Sequence, residues 1–167
     1  MNKTIHHRND FEGMRKAGHL AASTLDMLVD IVKPGVTTEE VDNKAFEFIN
    51  KNGGLIGPLF YKGFPKSVCT SINHVICHGI PSSRILESGD IVNIDVTVIL
   101  DGWHGDTSRM FPVGNISSKA QRLIDCTFEA MHKGIEEISP GKKLGDLGFA
   151  IQSFAEEQKY SVVRDFC

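Results

Sequence analysis

The stretch from Ile91 to Met110 leaves this chain the fewest ways to fold. Val92, Ile94, Val96, Val98 and Leu100 alternate with Asn93, Asp95, Thr97 and Ile99, the period of two expected of a strand with one buried apolar face. Asp101-Gly102 follows, the strongest short signal for a hairpin. With these two as the loop, Leu100 faces Trp103 and every later pair keeps the same index sum. Thr97 then falls opposite Asp106, and Asp95 opposite Ser108.

This register puts Asp95, Thr97, Asp106 and Ser108 on one face. Asp95 and Asp106 become diagonal neighbours with Cα atoms about 7 to 8 Å apart. Two ionised carboxylates that close repel unless one is protonated or a cation lies between them. A divalent ion with oxygen ligands is the natural resolution. The plainer alternative is a solvated strand face on which Asp106 pairs with Arg109 at the surface. His104 shares the face and is either a further ligand or a solvated bystander near the turn.

Composition sets the frame. The 167 residues are 41% hydrophobic and 23% charged, with a net charge of −3, which suits one globular domain with a real core and carries no bias toward nucleic acid or membrane. No run is long enough to span a bilayer and no apolar secretion segment opens the chain, so a cytoplasmic protein is expected. Cys69, Cys77, Cys126 and Cys167 lack paired C-x-x-C spacing and are expected to be reduced. Cys77 precedes His78, but strand neighbours point to opposite faces, which argues against a nucleophile and base pair.

Along the chain, Asn9 with Glu12 forms a capping-box pattern, and apolar residues from Met14 to Val32 recur at helical spacing up to Lys33-Pro34-Gly35. Thr37 with Glu40 opens a second helix, roughly residues 38 to 52, that stops at Gly53-Gly54. From Leu55 to Pro81 the pattern is extended, and Val68–Ile72 with Val75–Cys77 reads as a hairpin. Ser118 and Gln121 open a third helix that stops at Pro140-Gly141, a fourth runs from about Leu144 to Lys159, and Ser161–Phe166 reads as the start of a strand.

Helix, Pro-Gly break, helix, then strands describes the chain around Pro34 and again around Pro140. A duplicated α/β unit is implied, the first copy spanning about residues 10 to 114 and the second beginning near 117. The second copy stops as its strands begin, so the 167 residues read as part of a larger protein.

These residues resemble the type I methionine aminopeptidases. The likeness runs through Met14-Arg15-Lys16-Ala17-Gly18, Lys33-Pro34-Gly35, Gly63-Phe64-Pro65-Lys66-Ser67-Val68-Cys69, Cys77-His78-Gly79-Ile80-Pro81, Gly89-Asp90-Ile91-Val92-Asn93-Ile94-Asp95 and His104-Gly105-Asp106-Thr107-Ser108. What it implies is an α/β pita-bread fold of two related halves around a two-metal site, with residues 1–167 the N-terminal part of that single catalytic domain and the second half incomplete here. It also implies metal-dependent removal of the initiator methionine. Asp95 and Asp106 match the family's strand and bridging metal ligands, His78 the histidine that bonds substrate near the scissile carbonyl, and Tyr61 and Phe64 positions near the methionine pocket.

By the same resemblance the cofactors are two divalent ions (Co, Mn, Fe or Zn), and the remaining ligands, one His and two Glu, belong to positions after Cys167. The partners it implies are the N-termini of nascent polypeptides and the ribosome exit region. Pro58 stands where a pocket cysteine is frequent, Lys62 where histidine is frequent, and His74 where many members carry Glu, so the pocket's fine shape departs from the common pattern. Two other readings stand beside this one: an inactive fragment or non-catalytic pita-bread binding protein, and a sibling Xaa-Pro dipeptidase. The short N-terminus and Cys77-His78-Gly79-Ile80-Pro81 favour the methionine enzyme.

Overall fold

A computed structural model describes residues 5–164. One compact unit ends at Ile116 and a second begins at Ser117. In the first, helices α1 (Phe11–Leu28) and α2 (Thr38–Lys51) precede strands β1 (Leu55–Ile56), β2 (Cys69–Ile72), β3 (Ile91–Leu100) and β4 (Trp103–Pro112). The second holds α3 (Ser118–Glu136) and α4 (Leu144–Glu157). No helix among the described residues is long and apolar enough to cross a membrane.

β3 is the axis of the sheet. β4 pairs antiparallel with its whole length, while β2 and β1 share its other edge, β2 against Val92 to Asp95 and β1 against Val98 and Ile99. Val92, Ile94, Val96 and Val98 are all but inaccessible to solvent and join Leu20, Ala21, Leu25 and Leu28 of α1 and Val41, Ala45 and Ile49 of α2 in one core. The alternation along β3 thus does what it predicted, sending one set of side chains into the helices and the other to the opposite face.

The turn behaves as expected too. Asp101 and Gly102 both have positive φ (51° and 82°), as a two-residue type I′ hairpin requires. The cross-strand pairs Leu100 with Trp103, Thr97 with Asp106 and Asp95 with Ser108 are those predicted. Thr37 caps α2, its hydroxyl accepting the Glu40 N–H at 3.1 Å while the Glu40 carboxylate accepts the Thr37 N–H at 2.7 Å.

Four local readings need correction. The cap ahead of α1 is not Asn9 with Glu12; the Asp10 carboxylate accepts the His7 N–H at 2.7 Å, and a short 3₁₀ turn from Arg8 to Asp10 leads in. α1 ends at Leu28, and Val32 reaches the core from the turns that follow. Ser117, not Ser118, caps α3, accepting the Ala120 N–H at 3.1 Å. Most important, Val68–Ile72 and Val75–Cys77 do not form a hairpin: β2 pairs with β3, and residues 73–81 return beside β2 as irregular chain, with the Thr70 N–H bonded to the Gly79 carbonyl at 2.7 Å and the Val75 N–H to the Ile72 carbonyl at 3.0 Å.

In the second unit α3 and α4 pack through Gly134, whose missing Cβ leaves room for Ile151. Residues 161–164 are irregular, so no strand begins there. The rest of that expected strand, Asp165 and Phe166, lies outside the described residues, as does Cys167.

Candidate active site

The face of β3 turned away from the core gathers polar side chains from three strands. Asn93, Asp95 and Thr97 point there from β3, Asp106 and Ser108 from β4, and Cys69 and Ser71 from β2, where Cys69 stands directly opposite Asp95 and Ser71 opposite Asn93. Thr97 Oγ1 donates to Asp106 Oδ1 at 3.0 Å, and Asn93 Nδ2 to Ser108 Oγ at 3.3 Å. The Thr97 bond orients the Asp106 carboxylate, with Asp95 a diagonal neighbour across the strand pair.

Burial pushes the Asp95 carboxyl above the ordinary carboxylate range, and the charge of Asp106 adds to that, while His78 nearby pulls the other way. A second acid and a histidine thus lie within electrostatic reach of Asp95. Burial, followed by Asp95 itself, lifts the Cys69 thiol to about 11, so this sulfur is a neutral wall of the site and not a thiolate.

The two flanking loops follow from strand pairing. β1 and β2 leave a gap along the edge of β3, and Gly57 N–H bonds the Thr97 carbonyl at 3.0 Å in that gap. The chain from 57 to 68 therefore leaves and rejoins the sheet beside Thr97 and Asp95. It carries Tyr61, which is exposed, and Phe64, which is half-buried, with the Phe60 N–H bonding the Phe64 carbonyl at 2.7 Å. Its other end is held by Asp42 of α2, buried, whose Oδ1 accepts the Ser67 and Val68 N–H groups at 2.7 and 3.1 Å. The second loop, 73–81, brings exposed His78 to the outer edge of β2.

Several sequence expectations resolve here. Arg109 does not pair with Asp106; it reaches from the opposite face to Asp26 of α1 at 2.8 Å. His104 is exposed opposite Ile99. Among the described residues no group of three His, Cys, Asp or Glu is placed to hold a metal, so His104 does not complete a site with the two aspartates. Cys77 and His78 lie on a loop, which removes the strand argument for separating them. Pairing β2 with Val75–Cys77 hides the place of Cys69 and Ser71 on this face; their signal is the run Ser67–Ile72 read against β3.

The carboxylate pair fits a divalent cation in kind. Burial raises Asp95 most and the charge of Asp106 adds to it; a cation between the two would relieve that repulsion, and oxygen donors are what such ions accept. It fits in number only in part, because two carboxylates are fewer protein donors than a catalytic site uses.

Residues 12–167 match the model of metallopeptidase family M24. The chain belongs to metallopeptidase family M24. Membership implies divalent metal ions. The chain is 60% identical over 166 residues to the methionine aminopeptidase of Rickettsia prowazekii, covering 99% of this chain and 64% of that protein. The crystal structure of the Rickettsia prowazekii enzyme superposes with a TM-score of 0.96 over 98% of this chain and 66% of its own. An Xaa-Pro dipeptidase from Bacillus anthracis, 21% identical with a TM-score of 0.82 over 93% of this chain and 42% of its own, shares the fold alone. The fold is the mixed α/β pita-bread type of the M24 peptidases. The chain spans less than two thirds of the length of the curated Rickettsia relative.

Proposed function

We propose that this M24 chain carries part of the active site of a methionyl aminopeptidase, a hydrolase that removes the N-terminal methionine of newly made proteins. The observation that carries the reading is that Asp95 has Asp106 beside it on the same sheet face and His78 close by, in a chain 60% identical to a methionine aminopeptidase. Asp95 and Asp106 would hold the metal, two divalent ions of Co, Mn, Fe or Zn type, with Asp106 kept in line by the Thr97 hydroxyl. Such ions, when bound, polarise a peptide carbonyl and make water a stronger acid.

The protein's own groups do the rest. His78, exposed on its loop, donates to the carbonyl oxygen that gains negative charge as the peptide bond is attacked. Tyr61 and Phe64, on the loop rooted beside Asp95, supply aromatic surface for a thioether side chain. Cytoplasmic action on nascent N-termini near the ribosome exit region goes with that substrate. The repeat reading, 10 to 114 and from 117 on, belongs to the same proposal.

The test is to load the full-length protein with Co or Mn and compare Met-Ala with Leu-Ala peptides. Release of methionine from the first alone is expected. Equal cleavage of both, or of neither, sinks the reading. One observation favours a second reading, a non-catalytic pita-bread binding protein: no third donor joins the aspartates among the described residues. Met-peptide binding without turnover in the metal-loaded protein would select it.

A further inference from the structure

His78 sits in an exposed stretch outside helix and strand, yet a histidine that must meet one substrate oxygen needs its backbone held. Two anchors hold the segment. At its start Asn73, at φ 52°, donates its N–H to the Ile91 carbonyl at 2.9 Å, accepts the Ile91 N–H on Oδ1 at 3.0 Å and donates Nδ2 to buried Asp90 at 2.8 Å. At its end the Gly79 N–H donates to Ser71 Oγ at 3.1 Å and the Gly79 carbonyl accepts the Thr70 N–H at 2.7 Å. Gly79 lies so close to β2 that a Cβ would strike the Thr70 carbonyl.

His78 itself has φ 54°, a left-handed conformation that an L side chain keeps only where its surroundings impose it. From outside the loop, Ser71 bonds the peptide that follows His78. We propose that Ser71 is a positioning residue for His78: by accepting the Gly79 N–H, its hydroxyl fixes the peptide after His78 and keeps the imidazole beside Asp95. Ser71 is 4% exposed, so it acts through His78 and not on the substrate. The inference rests on the role proposed for His78 above.

A double-mutant cycle in the full-length, metal-loaded enzyme decides it, using wild type, Ser71→Ala, His78→Ala and the double variant on a Met-Ala peptide. Ser71→Ala should lower kcat about tenfold, the scale of one lost hydrogen bond, with KM and metal stoichiometry unchanged. In the His78→Ala background it should do nothing further. Ser71→Thr, which keeps the hydroxyl, should restore kcat. Hydrogen exchange gives a readout free of activity: the Gly79 amide loses protection in Ser71→Ala while the β3 amides keep theirs.

Wild-type kcat in Ser71→Ala, or losses that multiply in the double variant, would overturn the positioning role and leave the role of His78 standing. Wild-type turnover in His78→Ala would instead remove the reading on which this one rests. If Ser71→Ala does not fold, Ser71→Cys, close in volume and a weaker acceptor, meets the same criteria.

Discussion

The carboxyl of Asp95 is half-buried and faces a second carboxylate, so its ionised form carries an electrostatic cost in the metal-free protein. Its folded-state pKa lies above the ordinary carboxylate value. The stability it contributes is therefore fully present below that ordinary value and is lost as pH rises through the raised one. Asp95→Asn should raise the melting temperature of the metal-free protein at pH 7 and leave it unchanged near pH 3, where the wild-type group is already neutral. The same variant should lose divalent-metal binding by calorimetry. Equal melting temperatures at pH 7 would show that the site carries no charge conflict. His78→Ala differs in kind: kcat should fall by about 10² to 10³, as for loss of one donor to a developing oxyanion, while metal content stays the same. Retained metal with wild-type turnover would make His78 a structural residue.

At the scale of elements, the β3–β4 hairpin was legible because two local signals agreed. Alternation fixed the faces and Asp101-Gly102 fixed the register, so the diagonal placement of Asp95 and Asp106 followed from counting. β2 was not legible in the same way. Cys69–Ile72 pairs with Val92–Asp95 across some twenty residues of sequence, and nothing local distinguishes that partner from Val75–Cys77, which lies closer along the chain. The loss mattered for function, since that pairing sets Cys69 opposite Asp95 and lets Ser71 reach Gly79. The close approach of α1 to β4 was also hidden: Gly105 lies against the Ala17 carbonyl with no room for a Cβ. Gly105→Ala should cost about 1 to 3 kcal/mol, the usual range for overpacking a core. A thermal melt checks it, and an unchanged midpoint would mean that α1 shifts freely over the sheet.

For the whole molecule the decisive quantity is the number of metal donors. The described residues bring two carboxylates to one face, and Thr97 can hold one of them in line but does not add a third acidic or imidazole ligand. A divalent ion bound by two carboxylates completes its shell with water, and weak, exchangeable binding follows. Two ions on the same pair would also lack the charge compensation that keeps like cations close. The second unit adds a separate signal, for Phe128, Ile135, Leu144 and Phe149 on its helices and Ile138 just after α3 are all at least half exposed, more apolar surface than a small monomer usually leaves open. Purified residues 1 to 167 should therefore bind Co or Mn weakly, with a dissociation constant above about 10 μM on the scale where a few kcal/mol separate partial from complete ligand sets. They should also enhance the fluorescence of an apolar dye, associate at rising concentration and leave Met-Ala peptides uncut. Calorimetry with two tight metal equivalents, accompanied by turnover, would contradict this and would mean that donors counted here as bystanders, His104 first among them, move into the site when metal arrives.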